Sequence, residues 1–215
     1  DGRPAVGMVT NVYEEGTTRL FQRLAKPGMT VMDIGAHVGY YPLLAARQVG
    51  PAGKVYAFEP EPDNHATLLR NIELNGYHNV VVARKAVSDR VGDAQLYLSA
   101  TASGNHSIYR HGLTESESVP VEITTVDSML EELEWPRVDL IKIDAEGNDH
   151  LVLKGAKNIL ERDQPVIICE VLHDDTDRLL NDVLEGTDYR YFMITDGGLV
   201  QQESILGDSS YRYRN

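Results

Sequence analysis

The sequence predicts one α/β domain spanning residues 1–215: a mostly parallel sheet with helices on both faces and an antiparallel hairpin at the C-terminal end. Three observations predict it. From residue 30 to about residue 185, short apolar runs alternate with segments of helical period, and such alternation favours parallel strands covered on both sides. No repeat or linker-like stretch divides the 215 residues, a length that one domain with a sizeable core can fill. The last apolar runs break the rhythm, because YRYFMIT and LVQQES flank a DGG turn.

Each element follows from a local signal. TVMDI (30–34) is the first strand, and VGYYPLLAARQV (38–49) is the helix after it. Pro42 falls near that helix's first turn, where its missing N–H is tolerated. GKVYAFEP (53–60) is the second strand, introduced by a PAG turn. DNHATLLRNIELNG (63–76) is the second helix, with Ala66, Leu68, Leu69, Ile72 and Leu74 on one stripe and NG as its stop. NVVVARKAV (79–87) reads as the third strand. DAQLYLSA (93–100) and VPVEITTVD (119–127) alternate like half-exposed strands. The polar stretch between them, TASGNHSIYRHGLTESES, gives the expectation of a lid or insertion over residues 99–119. The rhythm then resumes with helix DSMLEEL (127–133), strand RVDLIKIDAEG (137–147), a helix over 149–162, strand QPVIICEVL (164–172) and a helix over 175–185.

Composition removes several classes of function. The formal net charge is −13 with no Lys/Arg cluster, so no nucleic-acid partner is expected, since such partners need a basic face. No apolar run approaches the roughly 20 residues of a membrane span. The one cysteine, Cys169, sits in the apolar run PVIICEV and cannot form an internal disulfide. That fits a reducing, cytoplasmic setting.

Ligands of an open parallel sheet bind beyond the C-terminal strand ends. Asp33 to Gly39, Glu59, Ala86 to Asp89, Asp144 to Gly147 and Glu170 to His173 therefore share one rim. The GAHVG turn on that rim is not a P-loop, which needs Lys followed by Ser or Thr. It also lacks the middle glycine of a dinucleotide fingerprint. Asp33 suits a phosphate poorly, because like charges 4 Å apart repel by about 4 kcal/mol at an effective dielectric near 20. A carboxylate there suits an ammonium or a sulfonium. S-adenosylmethionine carries both and has no phosphate, and Glu59 can accept hydrogen bonds from its ribose hydroxyls. The plainer alternatives are glycines that permit close packing, Asp33 as a helix cap and Glu59 as a solvated turn residue.

The stretches VMDIGAHVGYYPLLAA, GKVYAFEPEPDNHATLLRNIELNG, KAVSD, TTVDSML, DLIKIDAEGNDHLVLKGA and PVIICEV resemble, in this order, the FkbM family of S-adenosylmethionine-dependent methyltransferases. The resemblance runs from about Glu14 to Tyr191. It implies a class I, Rossmann-like fold with a seven-stranded sheet, and methyl transfer to a hydroxyl of a small molecule, sugar, glycan or secondary metabolite. The expected cofactor residues are Asp33, Gly35, Ala36, His37, Gly39, Glu59, Pro60, Ala86 and Asp144. Two positions depart from the family pattern: His37 replaces a usual Asn, and Asp149 replaces a usual Glu.

Methyl transfer to an alcohol requires alignment of the acceptor oxygen and a group to take its proton. The candidates for catalysis are Asp144, His173 and the lid residue His106. Lys142, odd within an apolar strand, either pairs with a carboxylate or snorkels toward the rim. A rival mechanism places Mg²⁺ on Asp144, Glu146, Glu170 and His173, but no tight ligand spacing marks them and no metal is expected. Two rival functions are a nicotinamide-dependent oxidoreductase and a cofactor-binding module without chemistry.

Overall fold

The computed structural model describes residues 13–98, 106–108, 117–133, 137–171, 176–195 and 197–207. Its centre is β1 (Thr30–Ile34), buried along its whole length. Helix α1 (Glu15–Leu24) precedes it, and α2 (Tyr40–Val49), β2 (Lys54–Phe58), α3 (Pro62–Asn75) and β3 (Val80–Ala83) follow. The chain then returns to the other side of β1 through β7 (Leu140–Ile143) and β8 (Val166–Cys169). The result is a parallel five-stranded sheet of order β3-β2-β1-β7-β8. The strand order reverses between β1 and β7, which is where open α/β sheets leave a crevice for ligands.

Both faces are covered. Met32 and Ile34 of β1 pack with Ile141, Ile143, Val152, Leu153, Ile159 and Leu180 on one side. Val31 packs with Phe21, Tyr41, Ala45, Val49, Val55 and Leu140 on the other. The period-two alternation of β1 thus divides the core between α1 and α2 on one face and α5 (Asp149–Lys154), α6 (Lys157–Arg162) and α7 (Thr176–Leu184) on the opposite one.

The structure departs from the sequence expectation in strand count and in two element boundaries. The main parallel sheet has five strands, not seven. NVVVARKAV is not one strand, because the ladder breaks at Arg84. Beyond it, β4 (Lys85–Val87) pairs with β6 (Ser118–Thr124), which also pairs with β5 (Gly92–Tyr97) in a separate three-stranded sheet. That sheet has its own small core of Ala86, Leu96 and Val121, which draws β4 away from β2. At the C-terminal end, β9 (Tyr191–Thr195) and β10 (Gly198–Gln202) form the expected antiparallel hairpin. It is a two-stranded sheet of its own, and Ile194 packs close to Gly16 of α1.

The helix expected over 149–162 is two helices, α5 and α6, separated at Gly155 and Ala156. A Cβ on Gly155 would lie 2.1 Å from the Ser88 carbonyl oxygen, so close packing against the end of β4 fixes the break. Helix α3 starts at Pro62, one residue earlier than expected. Glu61 caps it, accepting from the backbone N–H groups of Asp63 (3.1 Å) and Asn64 (2.6 Å). Helix α4 (Val126–Leu133) leads back toward β7.

Candidate active site

The turn after β1 is built from backbone. Gly35 and Ala36 both donate to the Phe58 carbonyl (3.0 and 2.9 Å), and Gly39 closes the turn onto Ala36 (2.9 Å). Gly35 has φ 82°, and a Cβ there would come within 1.9 Å of the Asp144 carbonyl oxygen. This glycine lets the ends of β1 and β7 meet. Gly39 has φ 100° and sits against Leu68. His37 stands at φ 48°, a region that Asn and His enter more readily than most residues. Its N–H donates to Glu59 Oε2 at 2.7 Å, while Glu59 Oε1 accepts from Glu61 N–H at 2.9 Å. Burial pushes the Glu59 carboxyl up to about 7, and the Glu61 and His37 N–H groups offset part of that. Pro60, half-buried, turns the chain from β2 toward α3. Ala86 packs its side chain into the core of the three-stranded sheet.

The neighbouring strand ends carry charge. The sheet register sets Asp33 beside Lys142, and both are almost fully buried. Lys142 Nζ bonds Asp144 Oδ2 at 3.0 Å and lies 4.5 Å from the centre of the Tyr41 ring. Burial works against its charge, but Asp144, Asp33 and Glu14 outweigh burial and raise the lysine's pKa. Lys142 is therefore a paired residue, not one that reaches out to water. Asp33 is pushed up to about 7, first by burial, then by Asp144 and Glu14 against the pull of Lys142. Its Oδ1 is buried and has no hydrogen-bond partner.

A second group of acids faces this pair. Carboxylate oxygens of Asp144, Glu146 and Glu170 all lie within 4.8 Å of one another. Burial, then Asp144 and Asp149, pushes Glu146 up to about 8. Burial, then Asp144, Glu146 and Asp149, pushes Glu170 up to about 9. Asp149 opens α5 and is fully buried; burial and Asp144 push it up to about 6. Its Oδ1 accepts from the Cys169 thiol at 3.6 Å, and its Oδ2 has no partner. His173 lies outside the described residues, so the four-residue metal set reduces here to three carboxylates.

Most of the expected lid also lies outside the described residues, which include only 106–108 and 117–119 of it. Ser107 forms a bridge with Tyr97. Its hydroxyl donates to the Glu146 carbonyl and accepts from Asn148 Nδ2, each at 3.3 Å. This carries His106 to the rim. Burial and the charge of His106 lower the pKa of His37, while Glu61 acts on His106 in the opposite sense to burial. The structure thus brings together Asp33, Gly35, His37, Glu59, His106 and Asp144, which the sequence scatters over more than a hundred residues.

Sequence reasoning missed the wall formed by Tyr13, Glu14, Tyr40 and Tyr41. Tyr41 donates to Glu14 Oε2 at 2.7 Å, and the Tyr13 and Tyr40 rings meet edge-on at 5.3 Å. Burial, then Glu14 and Asp144, keeps the Tyr13 hydroxyl protonated. The adjacent tyrosines at 40 and 41 carried a signal, but the helical period around them read as core.

A doubly wound sheet with an acidic glycine turn on β1 and a carboxylate ending β2 defines a Rossmann-like fold of the methyltransferase class. The chain belongs to the FkbM methyltransferase family, whose domain matches residues 33–191. It is 28% identical over 156 residues to the hexuronic acid methyltransferase AglP of Haloferax volcanii, covering 72% of this chain and 61% of that protein. Identity to methyltransferase 1 of Beauveria bassiana is 26% over 143 residues, covering 58% of this chain and 57% of that one. The chain thus spans about three-fifths of the length of these relatives. In fold it is similar to the crystal structure of the FkbM methyltransferase from Methylobacillus flagellatus, with a TM-score of 0.55 and 16% identity over 81% of this chain and 46% of that one. Among the described residues, no helix is long and apolar enough to cross a membrane.

Proposed function

We propose that the protein is an S-adenosylmethionine-dependent O-methyltransferase whose acceptor is a hydroxyl on a sugar or other small molecule. The observation that carries this reading is Asp33: fully buried, beside the glycine turn, with one oxygen lacking a partner. A buried orphan carboxylate oxygen requires a donor, and an ammonium group supplies one. A phosphate ligand would meet Asp33, Glu59 and Asp144 at the same rim and be repelled, which counts against a nicotinamide cofactor.

The residues present fit the cofactor. Gly35 and Gly39, both at positive φ, hold the turn against Asp144 and Leu68 and so fix the rim on which Asp33 and Glu59 stand. Each Glu59 oxygen accepts one backbone bond and Asn64 adds a side-chain bond, so of the carboxylate's four acceptor positions one remains for a ribose hydroxyl. When bound, the cofactor supplies a methyl group already activated by positive sulfur. The chain's tasks are then to align the acceptor oxygen, to exclude water, and to receive one proton. The acidic rim disfavours an anionic group at the acceptor position. The similarity to a protein named for hexuronic acid supports a sugar-derived acceptor; such a sugar also carries an acid group, which this rim would repel, so a hydroxyl is the group set against it.

Calorimetry tests the reading. S-adenosylmethionine and its demethylated product should bind on the micromolar scale, about −8 kcal/mol, and NADH should not bind. Glu59→Ala should weaken both cofactor forms by about 1–3 kcal/mol through the lost ribose bond. Unchanged affinity in that variant removes Glu59 from the site. Binding without turnover across a broad panel of hydroxylated acceptors would support the non-catalytic module instead.

A further inference from the structure

Helix α1 starts in a way that capping does not explain. Glu14, at its N-cap, stands at φ 42° and ψ 58°, a left-handed conformation that a residue with a long side chain rarely adopts. Its carboxylate makes no bond to the N–H groups of its own helix, the task a side chain at that position usually performs. It reaches across to α2 instead, where the Tyr41 hydroxyl donates to Glu14 Oε2 at 2.7 Å. Thr18 holds the bend: its N–H donates to the Glu14 carbonyl and its hydroxyl to the Tyr13 carbonyl, each at 2.8 Å. Thr18 and Tyr41 are buried, whereas Glu14 is exposed. Strained residues persist where their surroundings over-determine them, and they gather at ligand clamps.

Tyr41 carries Glu14 to the glycine-turn end of the rim. Lys142 Nζ lies 4.5 Å from the centre of the Tyr41 ring, and Lys142 is the register neighbour of Asp33. The charge of Glu14 acts on both Asp33 and Lys142. Lys142 gives its hydrogen bond to Asp144, which leaves Asp33 Oδ1 buried without a partner. Three carboxylates thus surround one ammonium that is already paired. The rings of Tyr13 and Tyr40 meet edge-on beside them, as do those of Tyr40 and Tyr41. Carboxylates next to aromatic rings favour a second cation over a neutral or anionic group.

We infer that Glu14 is a second carboxylate for the cofactor's α-ammonium group, complementing Asp33, and that Tyr41 is the positioning residue that holds it there. The inference rests on the cofactor assignment. It adds to the site a residue that lies ahead of the matched domain, which begins at residue 33. An ammonium group has three donors. Asp33 accepts from the buried side and Glu14 from the exposed side, while Glu59 serves the ribose. The amino-acid half of the ligand is therefore read by two separate chain segments.

Calorimetry with four ligands tests this. S-adenosylmethionine and its demethylated product carry the ammonium. The deaminated analogue of that product lacks only that group, and 5′-methylthioadenosine lacks the whole amino-acid end. Glu14→Gln should lower the affinity of the first two about tenfold, the scale of a hydrogen bond to a charged group. It should leave the other two unchanged, and unchanged binding of 5′-methylthioadenosine also shows that the variant is folded. Tyr41→Phe keeps the ring against Lys142 but releases Glu14, so it should give a smaller loss with the same ligand pattern. An equal loss for all four ligands in Glu14→Gln overturns the inference and makes Glu14 a pin between α1 and α2. Unchanged affinity for all four overturns it as well. So does a loss in Tyr41→Phe with none in Glu14→Gln. If the wild-type protein binds none of the four, the cofactor assignment itself has failed and the inference falls with it.

Discussion

The two halves of the rim differ in how their polar groups are satisfied. At the β1–β2 end, Glu59 takes two backbone N–H bonds, Glu61 takes two more, and the turn from Gly35 to Gly39 is closed by its own hydrogen bonds. At the β7–β8 end, Asp144, Glu146 and Glu170 lie within 4.8 Å of one another and Asp149 has an oxygen with no partner. The first half is preorganised, so a ligand finds its partners already in place. The second half is electrostatically strained and is relieved only by protons or by added positive charge. Lys142 joins the halves, lying beside Asp33 in register and bonded to Asp144.

Removing Lys142 is the largest expected break in that comparison. Its side chain is about as buried as the core leucines, and Lys142→Met would leave Asp144 and Asp33 without their shared cation. Truncating one member of a buried pair costs about 3–5 kcal/mol. Urea denaturation at neutral pH should show a loss of that order, smaller in acid, where the carboxyls can take up protons. A loss below about 1 kcal/mol would show that the two halves are not coupled through this residue.

A smaller effect follows from pH alone. Burial raises the carboxyls of Asp33 and Glu59 to about 7, Glu146 to about 8 and Glu170 to about 9 in the folded chain. An unfolded chain holds such groups near 4. The unfolded state therefore binds fewer protons between these limits, and stability falls as pH rises. The contribution is fully present below about pH 4 and is lost progressively as pH passes through the folded values. Melting temperature without cofactor should decline from pH 6 to pH 9, and S-adenosylmethionine should flatten that decline. A melting temperature that rises over this interval would mean the acid cluster is not strained.

The preorganised half was legible in the sequence; of the strained half, the grouping of Asp144, Glu146 and Glu170 on one rim was legible but their crowding was not, for a physical reason. Asp33, Gly35, Gly39 and Glu59 act through turns and strand ends within about 25 residues, so spacing alone points to them. Lys142 was visible as an anomaly, a charge within an apolar strand, but its partners were not. The crowding of Asp144, Glu146, Asp149 and Glu170 depends on how closely β7, β8 and α5 approach, and no local pattern encodes that distance. The same holds for the two misread boundaries. The break at Arg84 answers to β6, more than thirty residues away, and the break at Gly155 answers to the Ser88 carbonyl. Strand and helix types were readable because periodicity is local; pairing partners and the five-strand count were not.

The smallest expected effect tests whether residues 106–108 belong to one half or to both. Ser107 is nearly buried, bridges to Tyr97, and holds its hydroxyl between the Glu146 carbonyl and Asn148 Nδ2. It thereby ties residues 106–108 to the strained half, while the charge of His106 beside it acts on His37 in the preorganised half. Ser107→Ala removes the tie without removing either imidazole. Asn148 Nδ2 keeps its bond to the Ala145 carbonyl at 3.1 Å, so the cost should be about 1 kcal/mol. A segment that covers the acceptor should lose that energy as a several-fold higher KM for acceptor, because its closed position is less populated. Affinity for the demethylated cofactor should stay the same, since the Glu59 and Asp33 contacts are untouched. Steady-state kinetics and calorimetry on the same variant separate the outcomes. A fall in cofactor affinity with unchanged acceptor KM would assign the segment to the preorganised half, leaving the acceptor to be held by the strand-end acids alone.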